Sequence, residues 1–307
     1  VAAPAFTILL PIHRPPHLLP FAVASVQAQT RQDFELFIIC DGAPEATVAA
    51  AAELAAADPR IRVFAHPKGE RHGEGYRHQA LQQARGTYVA QIGDDDLWLP
   101  GHLAEMALLL GEVDFGNTLH LELDLEGRFF LRSGDLGNPE TRIRIREALF
   151  HFFGPTVTGY RLSAYRALPV GWSAAPPDIA TDLHMWRKFL ALEHLRFGTR
   201  AAITSIKFAA DTRKAWSPEQ RVAETARWAG RIATPAGVAT VTQQVLRDLN
   251  VNFYATHRAM NQLQALVATR KAERDELRDR LRALKDTRSW RWTRPFRSLA
   301  KRFQRGS

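Results

Sequence analysis

Three adjacent carboxylates end an apolar, β-prone stretch in Thr87-Tyr88-Val89-Ala90-Gln91-Ile92-Gly93-Asp94-Asp95-Asp96-Leu97-Trp98-Leu99-Pro100. Like charges so close repel, and a fold that keeps them at a strand end must supply a cation or hydrogen-bond donors. Oxygen-only ligands suit a hard divalent ion, Mg²⁺ or Mn²⁺; the plainer alternative is a solvated turn capping the helix expected after Pro100. Asp41 follows the apolar run Leu36-Phe37-Ile38-Ile39-Cys40, where it can accept hydrogen bonds from a base or ribose, or serve as a turn residue before Gly42. Asp178 and Asp182, on residue type alone, read as a helix cap and a first-turn acid. Lys68, Arg71 and Arg77 follow one β-prone run and Lys207, Arg213 and Lys214 another. Around one cleft they could hold a diphosphate; singly, each is an ordinary surface charge. His66, His72 and His78 recur every six residues, which matches no usual zinc pair, and His184 is as well explained by the surface as by a site. The chain has no G-x-x-x-x-G-K-[ST] loop and no serine, histidine and acid arrangement for nucleophilic catalysis.

These residues depend on the elements that carry them. Apolar β-prone runs at 6–12, 34–40, 61–65 and 87–93 alternate with helix-like segments at 17–29, 45–57 and 72–85, the second very rich in alanine. That alternation predicts an α/β domain with a mainly parallel sheet. Loops from successive strands then gather at one sheet edge, the usual place for a ligand, and Asp41 and Asp94–Asp96 both fall there. From 101 to 215 the pattern is mixed: a helix near 101–111, β-like stretches near 113–121 and 128–132, a Gly/Pro-punctuated region through Pro177, and a closing run at 201–208. Ser217-Pro218-Glu219 marks a helix start with Ser217 as N-cap. The stretch 238–285 then lacks proline and glycine. Met260, Val267, Arg274 and Leu281 share one heptad position, and Leu263, Arg270, Leu277 and Leu284 the other, which supports a coiled coil or a helix lying on another surface; Arg270 and Arg274 weaken the seam through which a homo-oligomer could form.

A chain of 307 residues can bury a substantial core, and its composition is that of a soluble globular protein. Its formal charge of +9 comes entirely from residues 270–307, with 14 Lys+Arg against 5 Asp+Glu, so the preceding part is neutral and no nucleic-acid surface is expected. No run of about 18 uncharged apolar residues and no basic-then-apolar start is present, so neither a membrane span nor a leader is expected, and the location is read as cytoplasmic. The single cysteine, Cys40, reads as a buried thiol in a reducing compartment. Residues 287–307 interleave Trp and Phe with Arg and Lys and contain no acid. That suits peripheral contact with the cytoplasmic membrane face, each cation contributing about 1 kcal/mol, or a solubilising tail.

Several segments together are more specific. Phe6-Thr7-Ile8-Leu9-Leu10-Pro11-Ile12-His13-Arg14, Ser25-Val26-Gln27-Ala28-Gln29-Thr30, Phe34-Glu35-Leu36-Phe37-Ile38-Ile39-Cys40-Asp41-Gly42, Arg85-Gly86-Thr87-Tyr88 and Gly93-Asp94-Asp95-Asp96 closely resemble, in order and spacing, the N-terminal half of family 2 glycosyltransferases. The resemblance covers about residues 5–215. It implies the GT-A fold, α/β and Rossmann-like, with a mainly parallel sheet flanked by helices. A domain at 1–215 would bind the nucleotide sugar through 1–100 and the acceptor through 101–215, followed by a helical extension at 216–286 and the basic-aromatic tail at 287–307.

The implied reaction moves a sugar, with inversion, from a nucleotide diphosphate donor to an acceptor hydroxyl in cell-surface glycan or polysaccharide synthesis. Asp41 is placed in the nucleotide pocket, with Pro11, His13, Arg14, Lys68, Arg71, Arg77, Lys207 and Arg213 around the donor and Asp94 near the ribose. Asp95 takes the metal-binding position and Asp96 completes the shell of a Mg²⁺ or Mn²⁺ ion that stabilises the departing diphosphate. Asp182, in Asp178-Ile179-Ala180-Thr181-Asp182-Leu183-His184-Met185-Trp186-Arg187, takes the catalytic-base position. Two departures stand out: Cys40 replaces a usual second acid, and Thr181-Asp182 a common Glu-Asp pair. The expected donor is of UDP or dTDP type and the acceptor a glycan or lipid-linked glycan. A sugar nucleotidyltransferase would carry a Gly-rich loop where Pro11-Ile12-His13-Arg14-Pro15-Pro16 stands; a non-catalytic GT-A-like scaffold is the other alternative.

Overall fold

The computed structural model describes residues 3–289; the membrane-contact expectation for the tail falls almost wholly outside the described residues. The chain opens with β1 (Phe6–Ile12), α1 (Leu19–Gln27), β2 (Phe34–Asp41), α2 (Glu45–Ala57), β3 (Ile61–His66), α3 (Glu74–Leu81) and β4 (Tyr88–Gln91). It continues with β5 (Leu97–Trp98), α4 (His102–Glu112), β6 (Phe115–Leu123), β7 (Phe129–Leu131), α5 (Pro139–Glu147), β8 (Thr158–Arg161), α6 (Leu162–Arg166), α7 (Thr181–Leu190) and β9 (Phe197–Lys207). Two helices, α8 (Pro218–Ile232) and α9 (Pro235–Asp286), follow.

One sheet runs β3-β2-β1-β4-β8-β6-β9-β5, with β7 paired to β6. Its first four strands are parallel, as their helical crossovers require. Beyond β4 the sheet becomes mixed, because β6 and β7 form a hairpin and β8 runs antiparallel between β4 and β6. The sheet is therefore less parallel than expected.

Strands covered on both faces read as continuous apolar runs, and β1 and β2 show why. Ile8, Leu10, Leu36 and Ile38 enter one core, whereas Leu9, Phe37 and Ile39 enter the other. A third core joins Leu121, Leu123, Phe129 and Ile206 to Trp228 and Ile232 of α8 and Val241 and Val245 of α9. This burial carries the first compact unit to Leu249, past the boundary expected at 215. The capping box at Ser217 and Gln220 confirms the helix start anticipated there. Residues 250–289 belong to a second unit, a continuation of α9 with exposed apolar side chains.

Two features generate tests of the fold. Glu35 is buried and accepts hydrogen bonds from Thr7 Oγ1 at 2.7 Å and Arg85 N at 2.7 Å, while Gly86 N donates to Thr7 Oγ1 at 3.0 Å. A β-carbon on Gly86 would stand 2.3 Å from Thr7 N, against backbone that cannot yield. Gly86→Ala is expected to cost about 2 kcal/mol or more, read as a lower urea midpoint with an unchanged slope. His102 stacks on Trp98 at 4.0 Å and shares a 2.8 Å hydrogen bond with Thr204 Oγ1, and burial pushes its pKa down to about 3. The unfolded chain therefore takes up this proton first. The stability His102 contributes is full above about pH 6.5 and declines below it, by up to about 1.4 kcal/mol per pH unit. His102→Gln should flatten the fall in urea midpoint between about pH 6.5 and 5.

Candidate active site

Parallel register brings the functional loops to one edge. Ile12 pairs with Cys40 and Asp41 with His66, so the ends of β1, β2 and β3 lie side by side, and β4 joins them through Leu9 and Gln91. The residues that follow these strands, with α7 opposite, line a cavity of about 380 Å³. Pro11, His13 and Arg14 enter it from β1, Asp41 from β2, Arg71 and Arg77 from the region after β3, and Asp94, Asp95 and Asp96 from β4; Asp182 closes it from α7. Burial, and then the charge of Arg14, lowers the His13 pKa.

Asp41 organises the loop after β3. Its Oδ1 accepts from Gly69 N at 2.6 Å, its Oδ2 pairs with the Lys68 ammonium, and Gly73 (φ 66°) approaches so closely that a β-carbon would lie 2.5 Å from Asp41 Cγ. The loop in turn grips the segment before α7. Arg71 donates to the carbonyls of Pro177 and Ile179 at 3.4 and 3.3 Å, and Glu74 accepts from Thr181 Oγ1 at 2.8 Å. Arg77 is buried over the Trp172 ring at 4.9 Å, donates to His72 O at 3.1 Å and leaves Nε without a partner. A buried guanidinium with spare donors suits an anion.

The acidic triplet is compensated residue by residue. Arg14 Nε lies 3.1 Å from Asp94 Oδ2 without hydrogen-bond geometry, and Arg14 Nη1 lies 2.9 Å from Asp95 Oδ2. Arg221 Nη2, from α8, reaches that same Asp95 oxygen at 2.9 Å. Asp96 accepts from Thr156 Oγ1 at 2.5 Å and from Phe208 N at 3.3 Å. Burial first, and the Asp95 charge second, raise the carboxyls of Asp94 and Asp96 well above the ordinary range.

Asp182 lines the first cavity and stands beside His151, which lines a second. Its side chain is 15% exposed, Oδ1 accepts from Leu183 N at 2.9 Å, and Oδ2 stands 3.6 Å from His151 Nδ1. Gly154 lies beside this pair: a β-carbon there would meet Lys207 Nζ at 3.7 Å and Asp182 Oδ2 at 3.9 Å, ordinary contact distances. A second cavity, of about 460 Å³, is lined by Asp95, His120, Glu122, Arg132, His151 and Lys207 among others. There Arg132 pairs with Glu122 at 2.7 Å, and buried His120 leaves Nε2 without a partner.

Several expectations need correction. Arg213 does not reach the cleft: its fully buried guanidinium grips Glu224 of α8 at 2.5 and 2.8 Å and the Leu123 carbonyl at 3.1 Å. Lys68 stands at the rim on Asp41, outside the residues lining either cavity. Asp96 is buried and lines both cavities, with one hydrogen bond to each oxygen, from Thr156 Oγ1 and from Phe208 N, which leaves each oxygen a second lone pair. Among the described residues no group of three or more His, Cys, Asp or Glu side chains could cage a metal, which also removes the histidine series. Asp95 and Asp96, which line both cavities, are the carboxylates that could hold a Mg²⁺ ion whose remaining ligands are non-protein oxygens. Thr156, Glu74, His151 and Arg221 were not foreseen. Each acts through a contact far apart in sequence that no local pattern marks.

Comparison with known proteins agrees with this geometry. The protein-family model for glycosyl transferase family 2 matches residues 7–168. A Campylobacter jejuni protein, GalNAc(5)-diNAcBac-PP-undecaprenol beta-1,3-glucosyltransferase, is 29% identical over 119 residues, which span 38% of each chain. A PGL/p-HBAD biosynthesis glycosyltransferase of Mycobacterium bovis is 26% identical over 174 residues, 53% of this chain and 68% of that one. The succinoglycan biosynthesis protein ExoW of Rhizobium meliloti is 36% identical over 101 residues, 32% of this chain and 31% of its own. The chain thus aligns with well under half of the Campylobacter and Rhizobium proteins. Residues 1–349 of S. aureus TarS share the fold at a TM-score of 0.54 and 16% identity, over 72% of this chain and 64% of that one. With the matched segment spanning β1 to α6, the acids at its strand ends and the GT-A-like neighbour agreeing, the chain belongs to glycosyl transferase family 2.

Proposed function

We propose that the protein transfers a sugar from a nucleotide diphosphate sugar to an acceptor hydroxyl with inversion at the anomeric carbon. One observation carries the reading: Asp41, Asp94, Asp95 and Asp182 line a single cavity at the carboxyl ends of the strands. The nucleotide lies against Asp41 and the loop after β3. The proposed donor is of UDP or dTDP type, with Asp41 as a hydrogen-bond acceptor for the base. Asp94 faces the ribose, and Arg14, Arg77 and Lys207 supply positive charge to the diphosphate.

Asp182 is the general base. An acceptor hydroxyl entering from the second cavity, beside His151 and Lys207, gives its proton to Asp182 Oδ2 as it attacks the anomeric carbon on the face opposite the diphosphate. No covalent sugar–enzyme intermediate forms. Mg²⁺ or Mn²⁺, held by Asp95 and Asp96 when bound, neutralises charge on the leaving diphosphate. The acceptor is a glycan or lipid-linked glycan in surface polysaccharide synthesis, a class in keeping with the names of the Campylobacter and Rhizobium relatives. No helix among the described residues is long and apolar enough to cross a membrane, and action at the cytoplasmic membrane face through 287–307 belongs to this proposal. So does self-association through 238–285, where Met260, Leu263, Val267, Leu277, Leu281 and Leu284 are exposed.

The reading is tested by release of UDP or dTDP from a panel of UDP- and dTDP-sugars, with product configuration assigned by NMR. Asp182→Asn should lower kcat by about 10²-fold or more while UDP affinity holds, as removal of a general base predicts. Asp41→Ala should do the reverse, raising the donor KM with a smaller effect on kcat. A retained anomeric configuration, or transfer that survives Asp182→Asn at the wild-type rate, would sink the mechanism.

A further inference from the structure

The cation expected after β9 and the cation found at the triplet are different residues. Arg213 was expected to face the donor, yet it is wholly buried in the ion pair with Glu224. Arg221 comes instead. On α8 the residues Glu224, Thr225, Trp228 and Ile232 form one buried stripe, and Arg221 extends that stripe one turn toward the N-terminus. Trp228 packs edge-on against Phe129 at 4.9 Å, and the Ser217–Gln220 capping box fixes the first turn. Arg221 is therefore aimed by three anchors: the cap, the Arg213–Glu224 clamp and the Trp228 core. Its side chain ends on Asp95 Oδ2, the oxygen that Arg14 also uses.

One carboxylate oxygen has two lone pairs, and two guanidiniums fill them. A guanidinium carries five N–H donors, and among the described residues the Arg221 side chain spends one of them, on Asp95. Arg14 and Asp95 line both cavities, and Arg221 stands directly behind them on the same Asp95 oxygen, so two guanidiniums with spare planar donors meet at one carboxylate, a pairing that matches the oxygens of a diphosphate. We infer that Arg221, supplied by α8 from outside the family-matched residues 7–168, is a diphosphate-binding residue of this protein, with Asp95 as its holder and Arg213 as the positioning residue that fixes its helix. This rests on the donor site proposed above and adds to it a recognition element from a part of the chain that the family match does not reach.

Calorimetric titration of the full chain with UDP and with uridine, in buffer containing Mg²⁺, separates phosphate contact from base contact. Arg221→Met keeps the aliphatic stem and should weaken UDP about tenfold or more while uridine affinity changes less than about twofold; Arg221→Lys should recover part of the loss. Thermal unfolding of both variants checks that α8 stays docked. Equal UDP affinity in wild type and Arg221→Met, or a parallel loss of UDP and uridine, overturns the inference and makes Arg221 a structural tie. Wild-type protein that binds neither ligand overturns the donor reading itself, and this inference with it.

Discussion

Three carboxylates in succession cannot be left at the end of a buried strand without partners, and the second half of this protein is arranged around that demand. Asp94 is met by Arg14 from the loop after β1, Asp95 by Arg14 and Arg221, and Asp96 by the Thr156 hydroxyl and the backbone N–H at the end of β9. Each compensator comes from a different element. Removing charge from water costs several kcal/mol per ion unless geometry and hydrogen bonds restore it, so these contacts hold the sheet's parallel and antiparallel halves together as much as they shape a cleft. The raised pKa directions of Asp94 and Asp96 mark where compensation is incomplete, and an incompletely compensated cluster is what a further cation or a cation-bearing ligand would answer.

The two sides of the cleft are coupled by hydrogen bonds rather than by charge. Asp41 fixes the loop after β3 through Gly69 and Lys68, and that loop holds the α7 segment through Arg71 and the Glu74–Thr181 bond. The residue beside Thr181 is Asp182, so the group proposed as the base is oriented by the same loop that Asp41 fixes. Thr181, where relatives commonly have an acid, is in this light no simple loss: Glu74 brings a carboxylate to the same place from α3. Proton removal needs hydrogen-bond reach to within a few tenths of an ångström, and a base carried on an untethered helix start would not keep it.

What was legible in the sequence was what local pattern determines. The limits of β1, β2 and α2 fall within a residue of expectation, because unbroken apolar runs and an alanine-rich helix between turn signals leave little choice. The triplet and Asp41 sit at strand ends as anticipated, since a parallel sheet must put successive loops on one edge. β5 is too short to show a period, β8 hides in a Gly/Pro-rich stretch, and α5 is polar on most sides. The exchange of Arg213 for Arg221 was illegible for a deeper reason. Which of two arginines eight positions apart is buried depends on Glu224 and on how α8 lands on the β6–β7 hairpin, and no one-dimensional pattern carries that.

The division between the family-matched segment and the rest is also a division of chemistry. Residues 7–168 supply Asp41 and the acidic triplet, whereas Asp182, Lys207 and Arg221 all lie beyond them. Residues 7–168 also bring Arg14, Arg71 and Arg77 to the cleft, while β9 delivers Lys207 and α8 delivers Arg221 to Asp95. That delivery runs through an apolar core, because Trp228 and Ile232 pack with Phe129, Leu121 and Ile206 and thereby set the height of Arg221 over Asp95. A guanidinium displaced by about 1 Å loses most of its bidentate geometry. The packing of the third core therefore governs where Arg221 meets Asp95, although none of its side chains lines either cavity except Phe208.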